Sequence, residues 1–518
     1  MGLIEENISW GSLNVGHFLK TSAAVYPKKI AILDAMNDDK IKYKELNKRV
    51  NSLSHGLMEL GLKKGEFCVV LLKNRIEMAV TLFALSKIGS VIAPMPYRLL
   101  PGEMSELTNL CEATTFVFEQ EFTEIIEAIR PKVKSVDKYV CVGREVPEYA
   151  VSFKSLLLDD TSEPQVEIFG EDYHALNFSS GTTGLPKGMV QNNFHNTYPL
   201  ITTCIPAMGI DESDIYLNPF PLYGRVGWGG MFGIVYHGGT DIIMDFEPKL
   251  FLETVERQRP DTAELTTTMA EMLLLQTDLE QYDLSSLKQV IFIGSVLPLS
   301  TYNEVSLKIC PNIREYFGSQ EGNCTSWIRP EEKRKKPTSV GVPCTGVEVR
   351  IVKPGTLEDV EQGEVGEIIE RGFNLIKEYF KNPEATKLAF EDGWFHMGDL
   401  GRFDEEGFLY ILGRVKEMII TGGYNVFPIE VEAVLINHPK VQECTVIGLA
   451  DKLWGEAVVG VVVSIPDEEV NELELIQFCK ERLTGYKVPK YIKFVDSIPK
   501  NPTGKVLKKD LVKRFTKN

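Results

Sequence analysis

The feature that most limits the fold is a change of hydrophobic period near the N-terminus. From Tyr43 onward the apolar residues Leu46, Val50, Leu53, Leu57 and Leu60 recur at steps of four, three, four and three, a single helical stripe that stops at Gly61. A short apolar run at 67–72 follows, then helical spacing over 77–88, then a second short run at 90–94. Strand, helix and strand in that order describe parallel strands joined by a crossover helix. Further strand-like runs at 175–178, 215–217, 240–244 and 290–293 extend the pattern. The expected fold class is therefore α/β: a large N-terminal body of several subdomains with mainly parallel sheets, plus a small mobile α+β C-terminal domain. After Gly413 and Arg414 the texture changes, with a helix expected from Pro428 to about Asn437, strands at 441–449 and 457–463, and a helix over 472–483. The expected division is 1–413 for the body, 414–417 for a hinge and 418–518 for the mobile domain.

Composition removes several classes of function. With 56 basic and 73 acidic residues the formal charge is -17, which disfavours a nucleic-acid partner. The most apolar long stretch, 78–95, is broken by Lys87 and Gly89 and falls short of the roughly 20 residues a membrane span needs. Nine cysteines are scattered without a C-x-x-C pair, and seven histidines form no H-E-x-x-H motif, so neither a disulfide framework nor a zinc site is expected. Any metal should be held by oxygen. The N-terminus lacks the basic and apolar regions of a signal peptide, and the chain is expected to be cytoplasmic.

The segment Ser179-Ser180-Gly181-Thr182-Thr183-Gly184-Leu185-Pro186-Lys187-Gly188 follows the run at 175–178 directly. Its glycines let backbone N–H groups face an anion, its hydroxyls add donors and Lys187 adds charge. Because Gly188 rather than Ser or Thr follows Lys187, it is not a Walker A loop. Alone, such a stretch also suits an ordinary turn.

Other segments occur in an order that closely resembles the adenylate-forming superfamily of acyl-CoA synthetases, adenylation domains and beetle luciferase, over nearly the whole chain. These are Gly294-Ser295-Val296-Leu297-Pro298, Phe317-Gly318-Ser319-Gln320-Glu321, the set Tyr379, Pro383 and Thr386, Met397-Gly398-Asp399, Gly413-Arg414-Val415-Lys416-Glu417 and Asn501-Pro502-Thr503-Gly504-Lys505. The resemblance implies that a carboxylic acid is joined to AMP from ATP and then passed to a thiol. It implies Lys505 and Glu321 as catalytic residues and Lys416 as the hinge. Nucleotide and phosphate contacts would fall to Ser179, Ser180, Gly181, Thr182, Thr183, Gly184, Lys187, Gly294, Ser295, Phe317, Gly318, Gln320, Asp399 and Arg414. Glu321 and Thr182 would hold Mg²⁺, Tyr223, Gly224, Trp228 and Ser319 would line the acyl pocket, and Gly422, Gly423 and Tyr424 would border a CoA channel.

Core packing of the aromatic residues and a plain Gly-Gly turn are the alternatives at those last positions. The departures from the family pattern are Gln320 in place of threonine, Met397 in place of a hydroxyl residue and Gly224 where an aromatic residue or histidine is common. The expected substrates are ATP, a small carboxylic acid and CoA, with AMP formed, Mg²⁺ required and no tightly bound organic cofactor. Soluble CoA is preferred as acceptor, since only a short tail follows Lys505. Loading of a separate carrier protein and a nucleotide-binding regulator without full turnover are the other readings. A homodimer is left open, as are the identity of the acid and the physiological direction.

Overall fold

The structure is a computed structural model describing residues 14–179, 187–466, 468–500 and 506–516. Its described residues divide into two compact units. One comprises Met1–Pro337, Pro343–Val347 and Gly372–Phe390; the other comprises Thr338–Val342, Glu348–Arg371 and Glu391–Asn518.

The first unit holds two large sheets. One has seven strands, ordered Val151–Ser152, Lys138–Val142, Thr115–Glu119, Phe67–Leu71, Val91–Pro94, Tyr173–Ser179 and Lys187–Asn192. All neighbours are parallel except the last pair, a hairpin. The other sheet has nine strands. Its parallel middle contains Ile313–Ser319, Gln289–Phe292, Thr262–Leu265, Ile215–Asn218, Thr240–Ile243 and Ile30–Asp34, and reversed strands at Asn323–Ile328 and Asp39–Lys42 pair with its two ends. The expected α/β class and mainly parallel sheets are thus observed.

Periodicity and burial agree closely. The helix Tyr43–Glu59 turns Leu46, Val50, Leu53 and Leu57 into the core, each 1% exposed or less. The helix Ile76–Ile88 is buried along its whole length except at Glu77, as its all-round apolar sequence requires. Lys87 sits within it because its ammonium group donates to Asn47 Oδ1 and Asn51 Oδ1, each at 2.7 Å, and meets Glu163 Oε2 at 2.6 Å. Full pairing is what lets a buried lysine keep its charge. Among the described residues no helix is long and apolar enough to cross a membrane.

The second unit contains a mostly antiparallel sheet in which Trp394–Phe403 pairs with both Gly366–Gly372 and Leu409–Arg414. Residues 391–413 therefore cluster with the segment that follows them. A further sheet runs Tyr424–Val426, Ile419–Thr421, Gly455–Ser464 and Val441–Asp451, with Tyr491–Phe494 parallel to Gly455–Ser464. Along its central strand Val458 and Val462 face a core that includes Val431, Leu435 and Leu475, whereas Ala457, Val459 and Val461 face Leu511. That alternation of two is what the pleat dictates. The helices are Pro428–Leu435, Glu472–Lys480 and Lys508–Thr516.

Candidate functional site

The hairpin Tyr173–Ser179 and Lys187–Asn192 carries the first motif. Its register ends at Ser179↔Lys187. Ser180, Gly181, Thr182, Thr183 and Gly184, which join the two strands, lie outside the described residues. Lys187 places its Nζ 4.8 Å from the centroid of the Tyr379 ring, a cation held over a π-face. The adjoining backbone fixes that ring: Phe380 N–H donates to the Gly188 carbonyl at 2.8 Å, and Met189 pairs with Tyr379 in an isolated bridge.

A second hairpin brings Glu321 to the same residue. The strands Ile313–Ser319 and Asn323–Ile328 pair antiparallel, with a register shift between Phe317 and Gly318. Glycine is required at 318, because a Cβ there would stand 1.6 Å from the Asn323 carbonyl oxygen. The intervening residues Gln320, Glu321 and Gly322 lie beyond the ladder and are held from several directions. Tyr379 OH donates to Glu321 Oε1 at 2.7 Å, and Ile376 N–H donates to the Glu321 carbonyl at 2.9 Å. Asn374 Nδ2 donates to the Gly322 carbonyl, while Gly322 N–H donates to Ser319 Oγ at 2.8 Å. Burial, followed by the charge and hydrogen bond of Glu321, pushes the Tyr379 phenol well above its ordinary range. It therefore stays a donor at any working pH.

The remaining candidates of this unit lie on other elements. Gly294, at φ +86°, and Ser295 are exposed just after the strand Gln289–Phe292. Tyr223 meets Tyr97 edge-on at 5.2 Å, and burial raises its phenol. Gly224 is the N-cap of the helix Arg225–His237. Trp228 is 4% exposed, with its ring 5.3 Å from Phe232 and its indole N–H directed at Asn177 Oδ1 at 3.5 Å. Gly229 next to it opens on space, with no atom within 4 Å of where a Cβ would stand.

In the second unit, Asp399 and Arg414 are directly paired across two strands. Arg414 Nε lies 2.7 Å from Asp399 Oδ1 and Arg414 Nη1 donates to the Met397 carbonyl at 3.5 Å, so a buried carboxylate is met by a guanidinium on its own sheet. Lys416 is exposed in a 3-10 turn, Val415–Glu417. Gly422 and Gly423 form a two-residue hairpin turn with φ of +58° and +80°, the left-handed pair that such turns demand. Tyr424 is exposed and stacks on Tyr486 at 4.7 Å. Lys505 lies outside the described residues.

Among the described residues no group of three or more His, Cys, Asp or Glu is placed to hold a metal. A hard cation such as Mg²⁺ takes one or two carboxylates and completes its shell with substrate phosphates and water. Glu321, half-buried with one oxygen on Tyr379 OH, fits that demand. The sequence reading named Tyr379 without a task, and missed Asn374 and Arg225, whose Nη1 donates to the Gln320 carbonyl. Of these, only Arg225 left a trace in the sequence: it is a cation at the head of a glycine-rich helix.

A family model described as AMP-binding enzyme matches residues 19–380, and one described as AMP-binding enzyme C-terminal domain matches 430–505. The chain belongs to the AMP-binding enzyme family. Among curated relatives, a 2-succinylbenzoate–CoA ligase of Bacillus licheniformis is 33% identical over 96% of this chain and 99% of its own. A long-chain-fatty-acid–CoA ligase, FadD13 of Mycobacterium tuberculosis, is 29% identical over 97% of this chain and 99% of its own. Among solved structures, an anthranilate CoA ligase, AuaEII, in complex with anthranoyl-AMP superposes with a TM-score of 0.89 at 26% identity, covering 97% of both chains. The expected membership of the adenylate-forming superfamily is thereby established from both sequence and fold.

Proposed function

We propose that this chain is an AMP-forming acyl-CoA ligase, an acid–thiol ligase that uses ATP and CoA as substrates. The carboxylate of an organic acid attacks the α-phosphorus of ATP and pyrophosphate departs, leaving an acyl-adenylate. The thiol of CoA then attacks the acyl carbonyl and AMP departs. The observation that carries this reading is the convergence of Lys187, Tyr379 and Glu321. It supplies a cation at the end of the phosphate-loop motif and a carboxylate aimed by a phenol, in a chain matched along its length by CoA ligases.

In this proposal Lys187 and the hydroxyl and glycine residues before it neutralise the departing pyrophosphate. Mg²⁺, held by Glu321 with Thr182, would offset charge on the phosphate oxygens when bound. Asp399, oriented by Arg414, accepts from the ribose hydroxyls. Lys505 meets the carboxylate and α-phosphate, and rotation about Lys416 exchanges it for the Gly422-Gly423-Tyr424 turn in the second half-reaction.

A panel of carboxylic acids with ATP, Mg²⁺ and CoA tests the reading by the release of AMP and pyrophosphate. Exclusive formation of ADP overturns it. Lys505→Ala should suppress adenylate formation while sparing thiolysis of supplied acyl-adenylate, and equal loss in both removes the role given to Lys505. Lys416→Pro should impair thiolysis selectively, and an unchanged second half-reaction removes the hinge.

A further inference from the structure

We infer that Arg225 is a positioning residue for Glu321, tying the helix at the acyl side of the site to the carboxylate at its metal side. Arg225 is the first residue of the helix Arg225–His237 and is 8% exposed. Its Nη1 donates to the carbonyl oxygen of Gln320 at 2.5 Å. That carbonyl belongs to the peptide unit joining Gln320 to Glu321, so the guanidinium fixes the plane from which the Glu321 side chain departs.

Further bonds to this turn come from two other places in the chain. Ser319 lies on the same hairpin, and Asn374, Ile376 and Tyr379 lie on one segment. Arg225 enters from a different element, one whose own start is rigidly set. Leu222 N–H donates to Asn74 Oδ1 at 2.7 Å, and Gly224 N–H donates to the Pro221 carbonyl at 2.9 Å. Gly227 packs so closely that an added Cβ would stand 2.3 Å from the Pro221 carbonyl oxygen. That fixed start gives the guanidinium a firm base from which to hold the turn. The planar guanidinium is suited to the task because it carries several donors in a fixed fork, whereas an ammonium is a rotating point charge.

The inference rests on Glu321 being the Mg²⁺ ligand of the proposed ligase. The test uses full-length wild type, Glu321→Gln, Arg225→Met and Arg225→Lys, with Mn²⁺ as probe, titrated by electron paramagnetic resonance in the presence of ATP. Removing a group that orients a metal ligand typically weakens metal binding about 10-fold to 100-fold, and Arg225→Met is expected at the lower end of that range with Arg225→Lys between it and wild type. Raising Mg²⁺ should restore pyrophosphate release by Arg225→Met, with a smaller change in KM for the acid and an unchanged thermal midpoint. A packing role alone would lower the midpoint and give no rescue by metal. Should Arg225→Met fold poorly, Arg225→Lys alone decides, by the same Mn²⁺ shift and Mg²⁺ rescue. If Glu321→Gln weakens Mn²⁺ binding and both Arg225 variants match wild type, the inference is overturned and the metal assignment stands. If Glu321→Gln also matches wild type, the metal assignment is overturned and takes the inference with it.

Discussion

The turn at Gln320-Glu321-Gly322 and the turn at Gly422-Gly423 both close antiparallel hairpins, yet they are held in opposite ways. The first takes hydrogen bonds from Arg225, Asn374, Ile376 and Tyr379, residues up to 95 positions away along the chain. The second takes its shape mainly from two adjacent glycines at positive φ, with the Gly422 N–H donated to the Trp454 carbonyl at 2.8 Å and the Trp454 ring alongside, its Cε3 2.7 Å from where a Cβ on Gly422 would stand. A turn held by its surroundings can aim a carboxylate. One held by its own backbone keeps its form when its surroundings change, as a domain that presents different faces in two half-reactions would require.

The contrast is tested most severely at Glu321. Replacement by Gln keeps the shape and removes the charge, and pyrophosphate release should fall by about 100-fold to 1,000-fold, the range for loss of one preorganised group that stabilises charge developing in a transition state. Thiolysis of supplied acyl-adenylate should change far less, and a parallel loss in both assays would break the contrast.

Acid exposes the same dependence on surroundings. His174 is fully buried: Ser86 Oγ lies 2.8 Å from its Nε2 and Asn196 Nδ2 lies 2.8 Å from its Nδ1, while burial lowers its pKa to about 4. Between pH 6.5 and 4 the unfolded chain binds a proton there that the folded chain refuses. Stability should therefore be fully present above about 6.5 and be lost as pH falls, by roughly 3 kcal/mol for this group. Denaturant titrations across that range should show a shallower slope for His174→Gln, and an equal slope would remove the assignment.

Tyr379→Phe deletes only the donor to Glu321. Adenylate formation should drop about 10-fold, in line with a hydrogen bond to a charged group worth about 1.5–3 kcal/mol, and the loss should shrink as Mg²⁺ is raised. A wild-type rate would mean that the turn is aimed without the phenol.

Gly422→Ala is the mildest. An L side chain in the left-handed region costs about 1–2 kcal/mol, and the Trp454 ring must also shift. The thermal midpoint should fall modestly and thiolysis should slow, with adenylate formation retained. Slowing of adenylate formation alone would reverse the roles assigned to the two turns.

Much of the fold was legible because burial follows hydrophobic period. The stripe from Leu46 to Leu57 and the runs at 67–72 and 290–293 lie where the pattern put them, with ends shifted by a residue or two. The Gly-Gly turn was legible for a similar reason, since its geometry is written in two neighbouring residues. Glu321 was recognisable by its motif, but its partners were not. Nothing in the local sequence ties Tyr379 to Glu321, or Arg225 to Gln320.

Read alone, the chain's sequence was enough to place its strands and helices, to show its family and to name the charged residues that could meet a phosphate. Those properties depend on composition and spacing within a few turns of the chain. It took the folded chain to show that Asp399 meets Arg414, that Lys87 can be buried among Asn47, Asn51 and Glu163, and that Glu321 accepts from a phenol while the carbonyl before it accepts from a guanidinium. Hydrogen bonds and ion pairs act over about 3 Å, and only the folded chain brings such distant residues that close.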